Sequence, residues 1–424
     1  MKGIHKKLRE KYPWYDTWHK HPKHELFHWI IFYLFSVLTV VVVFFNVRSG
    51  FGENKRGLQP GSSGNVIGRV SDRIIVGFKD NVAQNEKTAL FAKNKLKERS
   101  KLDEIGVEVL YIESGDTPEN AVMRLQNEGK IDFVEVDAIV APSFVPNDPS
   151  YPNEWHLPKI NSPTAWDRTT GTGVTIAILD SGVDPTHPDL APNLVPGWNF
   201  SDNNSNTADV YGHGTEVAGV AAGIGNNNIE LAGEAYGAKI MPVRISDLSG
   251  YTTYSAVATG VNYAANHGAK VINVSYQAGG SNAVQRAAKY AKSKGSLVVM
   301  SEGNTGAPSG YKNSANIISV SATDNYDVIT GWSTYGKDVD VAAPGQAILT
   351  TTRGGGTDYF SGTSFSAPLT AGVLALIWSV NPNLTPDQVQ QILFNSSVDL
   401  GAPGWDPSYG WGRIDAARAV GMSK

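Results

Sequence analysis

The second half of the chain repeats one local pattern, and that pattern leaves few folds open. Near-continuous apolar runs at Val174–Leu179, Ile240–Ile245, Val271–Ser275, Ser296–Met300 and Ile317–Val320 alternate with helical stretches at Thr215–Gly223, Tyr254–His267 and Asn282–Lys294. A strand with one wet face alternates apolar and polar residues, whereas a run apolar throughout suits a parallel strand buried on both faces. Parallel strands need crossover connections, and the helical stretches supply them. The alternation predicts an α/β fold with a doubly wound, mostly parallel sheet and helices on both faces. Thr385-Pro386-Asp387-Gln388 adds a helix start, a capping box with proline at the first helical position.

Three short islands sit at the ends of these elements. Asp180-Ser181-Gly182 follows the first apolar run at its carboxyl end, where open α/β sheets place their sites. Gly212-His213-Gly214-Thr215 precedes a helical stretch of small residues, and Gly362-Thr363-Ser364-Phe365-Ser366-Ala367-Pro368 opens a long apolar stretch ending near Val380. A serine hydroxyl is a weak nucleophile until a base removes its proton, and a helix start favours developing negative charge. Ser364 is the candidate nucleophile, His213 the base and then acid, and Asp180 the group that holds the imidazole tautomer. Acid, histidine, serine is the chain order of subtilisin; chymotrypsin and the α/β-hydrolases order the three groups differently.

Around these islands, over about residues 146–422, the chain resembles the subtilisin family, in texture its thermitase-like branch. The resemblance implies a serine endopeptidase acting on proteins or peptides. It implies that Asn304, in Glu302-Gly303-Asn304, is the oxyanion-hole asparagine, working with the Ser364 backbone N–H. It also implies an extended substrate between two segments, Gly250-Tyr251-Thr252 and Ser275-Tyr276-Gln277. The family's second segment has a glycine after its second residue, where this chain has Gln277. Glu302 stands where small apolar residues are usual: it either lines a pocket for a basic or polar side chain or faces solvent. Glu216, in place of the family's second histidine, reads as a local structural swap.

Calcium is implied in the same way. Gly225, Asn227, Ile229 and Leu231 match the family's calcium loop, with Asp189 and Asp148 as its carboxylates, and hard oxygen ligands of this kind suit calcium. The other reading is an asparagine-rich surface turn. A second thermitase-like site near Asn199 and Asn204 is expected to be weak or absent, because amides replace carboxylates there.

Upstream lies a separate series. Ser71–Pro142 reads as β-α-β-α-β, with strands at Arg73–Phe78, Val107–Ile112 and Ile131–Val136 and helices at Glu86–Leu102 and Pro118–Glu128. It is compatible with a small split βαβ sheet and is similar to the family's propeptide, which implies an α+β chaperone and inhibitor of its own protease. An accessory domain unrelated to maturation is the other reading. The prolines of Ala141–Pro152 exclude a helix and predict an extended, exposed junction.

The first residues form another module. Leu26–Val47 carries no formal charge over 22 residues, about 33 Å as a helix and enough to cross a bilayer. Lys2, Lys6, Lys7, Arg9, Lys11, Lys20 and Lys23 precede it, which places residues 1–25 in the cytoplasm and the rest outside. A cleavable signal peptide competes, but the long core, the long polar leader and the lack of a small-residue cleavage site favour an uncleaved anchor at 26–47. Residues 48–70 are a glycine- and serine-rich linker. The expected organisation is therefore cytoplasmic segment 1–25, transmembrane helix 26–47, linker 48–70, propeptide 71–142 and catalytic domain 143–424. The chain has no cysteine, so it holds no disulfide, and a net charge of −4 gives no sign of nucleic-acid binding. The reading is a membrane-anchored, self-processing zymogen whose partners are protein substrates, its own propeptide and the membrane. The alternatives are a catalytically silent peptide-binding module of the envelope and a serine hydrolase acting on esters.

Overall fold

The computed structural model describes residues 66–113, 115–140 and 144–423. The expected cytoplasmic segment, anchor and most of the linker lie outside the described residues. Among the described residues the one helix long and apolar enough to cross a membrane is Thr363–Val380, and it is buried in the protein.

The N-terminal domain runs β1 (Val66–Phe78), α1 (Gln84–Lys93), β2 (Leu96–Leu102), β3 (Val107–Ile112), α2 (Pro118–Leu125) and β4 (Ile131–Val140). Its antiparallel sheet has the order β2-β3-β1-β4. Ile74 and Val76 of β1 and Leu110 of β3 pack against Leu90 and Phe91 of α1 and Ala121 and Leu125 of α2. The expected helix Glu86–Leu102 is in fact a helix and a strand. Lys95 adopts φ 56°, a left-handed conformation that ends the helix. Leu96 then buries its side chain while Lys97 to Leu102 stay exposed, a charged strand on the sheet edge. Thr117 caps α2 by accepting from Asn120 N, as its place before Pro118 predicts.

The catalytic domain is built on a seven-stranded sheet. Its strands are β5 (Thr175–Asp180), β6 (Trp198–Asn199), β7 (Lys239–Arg244), β8 (Val271–Val274), β9 (Leu297–Ser301), β10 (Ile317–Thr323) and β11 (Val341–Pro344). They are ordered β11-β10-β9-β8-β5-β7-β6, and every pairing is parallel. The chain passes from β5 to one side for β6 and β7, then returns to the other for β8. This makes the carboxyl end of β5 a switch point, and Asp180 occupies it.

Side chains of β5 feed two cores. Ile176 and Ile178 pack with α3 (His213–Ala222) and α6 (Thr363–Val380), whereas Ala177 and Leu179 pack with α4 (Tyr254–Asn266) and α5 (Asn282–Ser293). Burial on both faces is the reason the run is apolar throughout. A hairpin of β12 (Ile348–Thr351) and β13 (Thr357–Phe360) lies across α3 and leads into α6. The junction is less exposed than its prolines predict: Pro146 and Asp148 are buried, and Phe144 and Tyr151 pack on Trp166.

Candidate active site

The site assembles where α3 starts against the end of β5. Both Asp180 carboxylate oxygens lie 2.9 Å from His213 Nδ1, and Asp180 is fully buried. The approach depends on glycine. A Cβ on Gly214 would stand 2.0 Å from the Gly182 carbonyl, so α3 could not seat with any larger residue there.

A second carboxylate, not singled out from the sequence, organises the turn before the helix. Asp209 Oδ1 accepts from Ser181 Oγ (2.8 Å), Tyr211 N (3.0 Å) and Gly212 N (2.8 Å), and Oδ2 from Thr215 N (2.9 Å) and Thr215 Oγ1 (2.5 Å). Ser181 Oγ in turn accepts from Gly214 N at 2.9 Å. These bonds join the end of β5 to the free N–H groups of α3. The only sequence signal for Asp209 is an aspartate shortly before a helix start.

Burial disfavours a charged His213, but the Asp180 carboxylate outweighs burial, with Glu216 and Asp209 adding to it. The imidazole is thereby held above its ordinary range. Glu216, one turn along α3, is pushed up to about 7, by burial first and then by the surrounding carboxylates Asp180, Asp209 and Asp358, while His213 opposes the shift.

Ser364 is the second residue of α6. In the free protein its hydroxyl donates over 3.4 Å to the Ser275 carbonyl, and no hydrogen bond joins it to His213 among the described residues. Phe365 packs beside the imidazole, with ring centroids 6.1 Å apart. Asn304 is exposed at the cleft. Its Oδ1 accepts from Thr363 N (2.9 Å) and Thr363 Oγ1 (3.0 Å), which leaves the Nδ2 donors for a ligand.

A hydrogen bond joins the two expected substrate segments near His213. The Tyr276 hydroxyl donates to the Gly250 carbonyl at 3.0 Å, with its ring 6.2 Å from the imidazole. Ser275 Oγ donates to the Ser364 carbonyl at 2.9 Å. Tyr251 is 76% exposed, and Thr252 Oγ1 donates to the Ile245 carbonyl. Gly303 N donates to Thr363 Oγ1 at 3.1 Å.

Glu302 requires a correction. It neither lines a pocket nor faces solvent: it is 3% exposed, and its carboxyl is turned inward against Asp338 and Ser309. Burial, and next the Asp338 charge, push it up to about 9, so it is protonated at neutral pH. Asp340 beside it is pushed up to about 7, again first by burial.

At the opposite end of α3, Asp189 accepts from Asn227 Nδ2 (2.9 Å) and Leu231 N (3.1 Å). Asp148 accepts from Asn226 N (2.6 Å) and Asn227 N (3.1 Å), and Asn227 Oδ1 from Ile229 N (2.8 Å). Gly225 packs on Ala232 and Tyr236. The expected ligands thus gather around one loop, although among the described residues no group of three or more His, Asp or Glu side chains is arranged to hold a metal ion.

Residues 171–412 match the family model described as the Subtilase family. The chain belongs to the subtilase family. Residues 69–137 match a second model, described as the Fervidolysin N-terminal prodomain. Thermitase of Thermoactinomyces vulgaris is 41% identical over 281 residues, which cover 65% of this chain and 99% of thermitase. The thermophilic serine proteinase of Bacillus sp. (strain AK1) is 34% identical over 357 residues, covering 83% of this chain and 88% of that one. Among solved structures, a Pseudoalteromonas arctica protease aligns with a TM-score of 0.61 at 32% identity, covering 66% of this chain and 100% of that one. Fervidolysin from Fervidobacterium pennivorans, described as a keratinolytic enzyme related to subtilisin, aligns at 0.56 and 27% identity, covering 83% and 61%. This subtilase is a subtilisin-like serine endopeptidase with an N-terminal prodomain, and a silent binding module is not favoured.

The Glu302 carboxyl makes a pH-dependent contribution to stability. Its folded value, about 9, is raised above the ordinary 4.5, so the contribution is full below about 4.5, declines above it and is lost as pH passes 9. Glu302→Gln keeps a donor toward Asp338 without titrating. In a Ser364→Ala background, which prevents self-digestion, its melting temperature should fall less than the parent's between about pH 5 and pH 9. Parallel melting curves would place the charge in solvent.

Proposed function

We propose that this subtilase is made as a membrane-anchored zymogen that cuts itself, and that Asp180, His213 and Ser364 form its triad. The observation that carries the catalytic reading is the 2.9 Å contact between the Asp180 carboxylate and His213 Nδ1 at the start of α3. With Nδ1–H donated to Asp180, the other ring nitrogen is the free base. Ser364 Oγ rotates from the Ser275 carbonyl toward that nitrogen, transfers its proton and attacks the scissile carbonyl. The Ser364 N–H, at the positive end of α6, and Asn304 Nδ2 bind the oxyanion. His213 then protonates the leaving amine, and water releases the acyl group by the same steps in reverse. The substrate strand runs between Gly250-Tyr251-Thr252 and Ser275-Tyr276-Gln277.

The order of segments supports the rest of the reading. The apolar run 26–47 and its cationic leader suit an anchor with the catalytic domain outside the cell. The prodomain precedes the protease, and a cut between Asp137 and Tyr151 separates the mature core from both anchor and prodomain. The core then leaves the membrane unless contacts with the prodomain retain it.

Calcium fits the loop at Asp189. Asp148 and Asp189 are buried carboxylates with no lysine or arginine pairing with them among the described residues, and burial pushes the Asp189 carboxyl up. A divalent cation would relieve that uncompensated charge. Its ligands would be Asp148, Asp189, the Asn227 side chain and the carbonyls of Gly225, Ile229 and Leu231, and its role is structural.

Ser364→Ala should abolish proteolysis and self-processing and leave a full-length precursor in the membrane fraction of cells lacking other proteases. Normal maturation of this variant sinks the triad, and a mature wild-type core still carrying residues 26–47 sinks the cleavage site. Asn304→Ala should lower kcat by about 10²–10³ with little change in KM; an effect confined to KM would make Asn304 a substrate contact only. EDTA should lower the melting temperature of the Ser364→Ala protein, and Asp189→Ala should remove that sensitivity. Identical melting curves with and without chelator refute the calcium assignment.

A further inference from the structure

The nucleophile and the oxyanion donors fix where a scissile carbonyl sits, and therefore where the side chain of its residue goes. Ser364 Oγ lies 3.4 Å from the Ser275 carbonyl, and Asn304 is tied to Thr363, the residue before the nucleophile, from the other side. The residue under attack is bracketed by these two walls. On the same two segments, Gln277 and Gly303 stand side by side and close the space beside that residue.

That space is filled from one side. A Cβ built on Gly303 would meet Gln277 Cδ at 2.6 Å, Oε1 at 2.7 Å and Nε2 at 2.9 Å, so the whole carboxamide lies against the glycine. Gly303 has φ 114°, a conformation that glycine adopts without strain, and its carbonyl accepts from Thr334 N at 2.9 Å. The opposite wall is fixed as well. Asn273 Nδ2 donates to Ser275 Oγ at 3.0 Å, Ser275 Oγ to the Ser364 carbonyl, and the Tyr276 hydroxyl reaches across to the Gly250 carbonyl. Neither wall can move back to admit a larger group without breaking these bonds. The carboxamide thus occupies the place that a large side chain such as leucine or phenylalanine would need. Glu302, immediately before Gly303, is turned inward to Asp338 and contributes no charge to the space.

We propose that Gln277 determines specificity by filling the first acyl-side pocket, so that the protease cuts after glycine and alanine in preference to large residues. The inference rests on the triad and oxyanion hole proposed above.

The test compares the mature wild type with Gln277→Gly and Gln277→Ala on peptides that differ only at the residue before the cut: Gly, Ala, Ser, Gln, Leu or Phe. Labelling with a fluorophosphonate comes first. A wild type that does not label overturns the catalytic reading and this one with it. With labelled enzymes, wild-type kcat/KM after Gly or Ala should exceed that after Leu or Phe by about 10-fold or more. Both variants should raise the ratio of kcat/KM after Leu or Phe to that after Gly or Ala by about 10-fold. The alanine variant guards against a wall loosened by the added glycine. A labelled wild type that prefers Leu, Phe or Gln overturns the proposal and leaves the triad standing, as do profiles unchanged in both variants.

Discussion

The active site hangs on the way Asp209 ties the first turn of α3 to the end of β5. Helix starts leave backbone N–H groups without partners, and at this one water is largely excluded. Asp209 takes donors from Ser181, Tyr211, Gly212 and Thr215, so a single side chain satisfies the turn and joins it to the strand that ends in Asp180. Once the helix is seated, with Gly214 against Gly182, the His213 ring has one place to go, and the Asp180 carboxylate is there. The field around the imidazole is consequently negative on several sides, which favours its charged form.

Much of this was legible in the sequence, for identifiable reasons. β5 and β7 to β10 were visible because strands buried on both faces have no choice but to be apolar throughout. β11 and the β12–β13 hairpin were not, since strands of four residues, with a proline or threonines among them, have no period to read. In the prodomain, Leu96–Leu102 carries charges that suit a helix face as well as a sheet edge, and nothing in the sequence marks Lys95 as left-handed. The three islands bearing Asp180, His213 and Ser364 stood out because each sets a reactive residue type beside glycines that allow close backbone approach. Asp209 lacked any such context. Glu302 was misread because the side chain at the exit of a strand can turn to either face, and only its neighbours Asp338 and Ser309 decide which.

The buried acids of this domain show two ways to hold a carboxyl away from water. Asp209 is surrounded by hydrogen-bond donors. Glu302 has a carboxylate neighbour in Asp338 and retains its proton, and one of its oxygens, Oε1, has no partner among the described residues. The difference follows from what ends nearby: the N-terminus of a helix rich in free N–H groups in one case, and the carboxyl edge of a sheet in the other.

The placement of Ser364 has a consequence for how the molecule comes to be dangerous. The helix it opens is the central element of the larger core, packed against β8, β9, β10 and α3 and buried along most of its length. Asp180 and His213 are only 33 residues apart in the chain, but Ser364 arrives from far along it and is positioned only when this helix docks. With the triad proposed above, a half-folded chain holds an acid and a base with nothing to activate. Proteolytic competence is a certificate of completed folding, and the intermediates most easily digested are those that cannot yet cut.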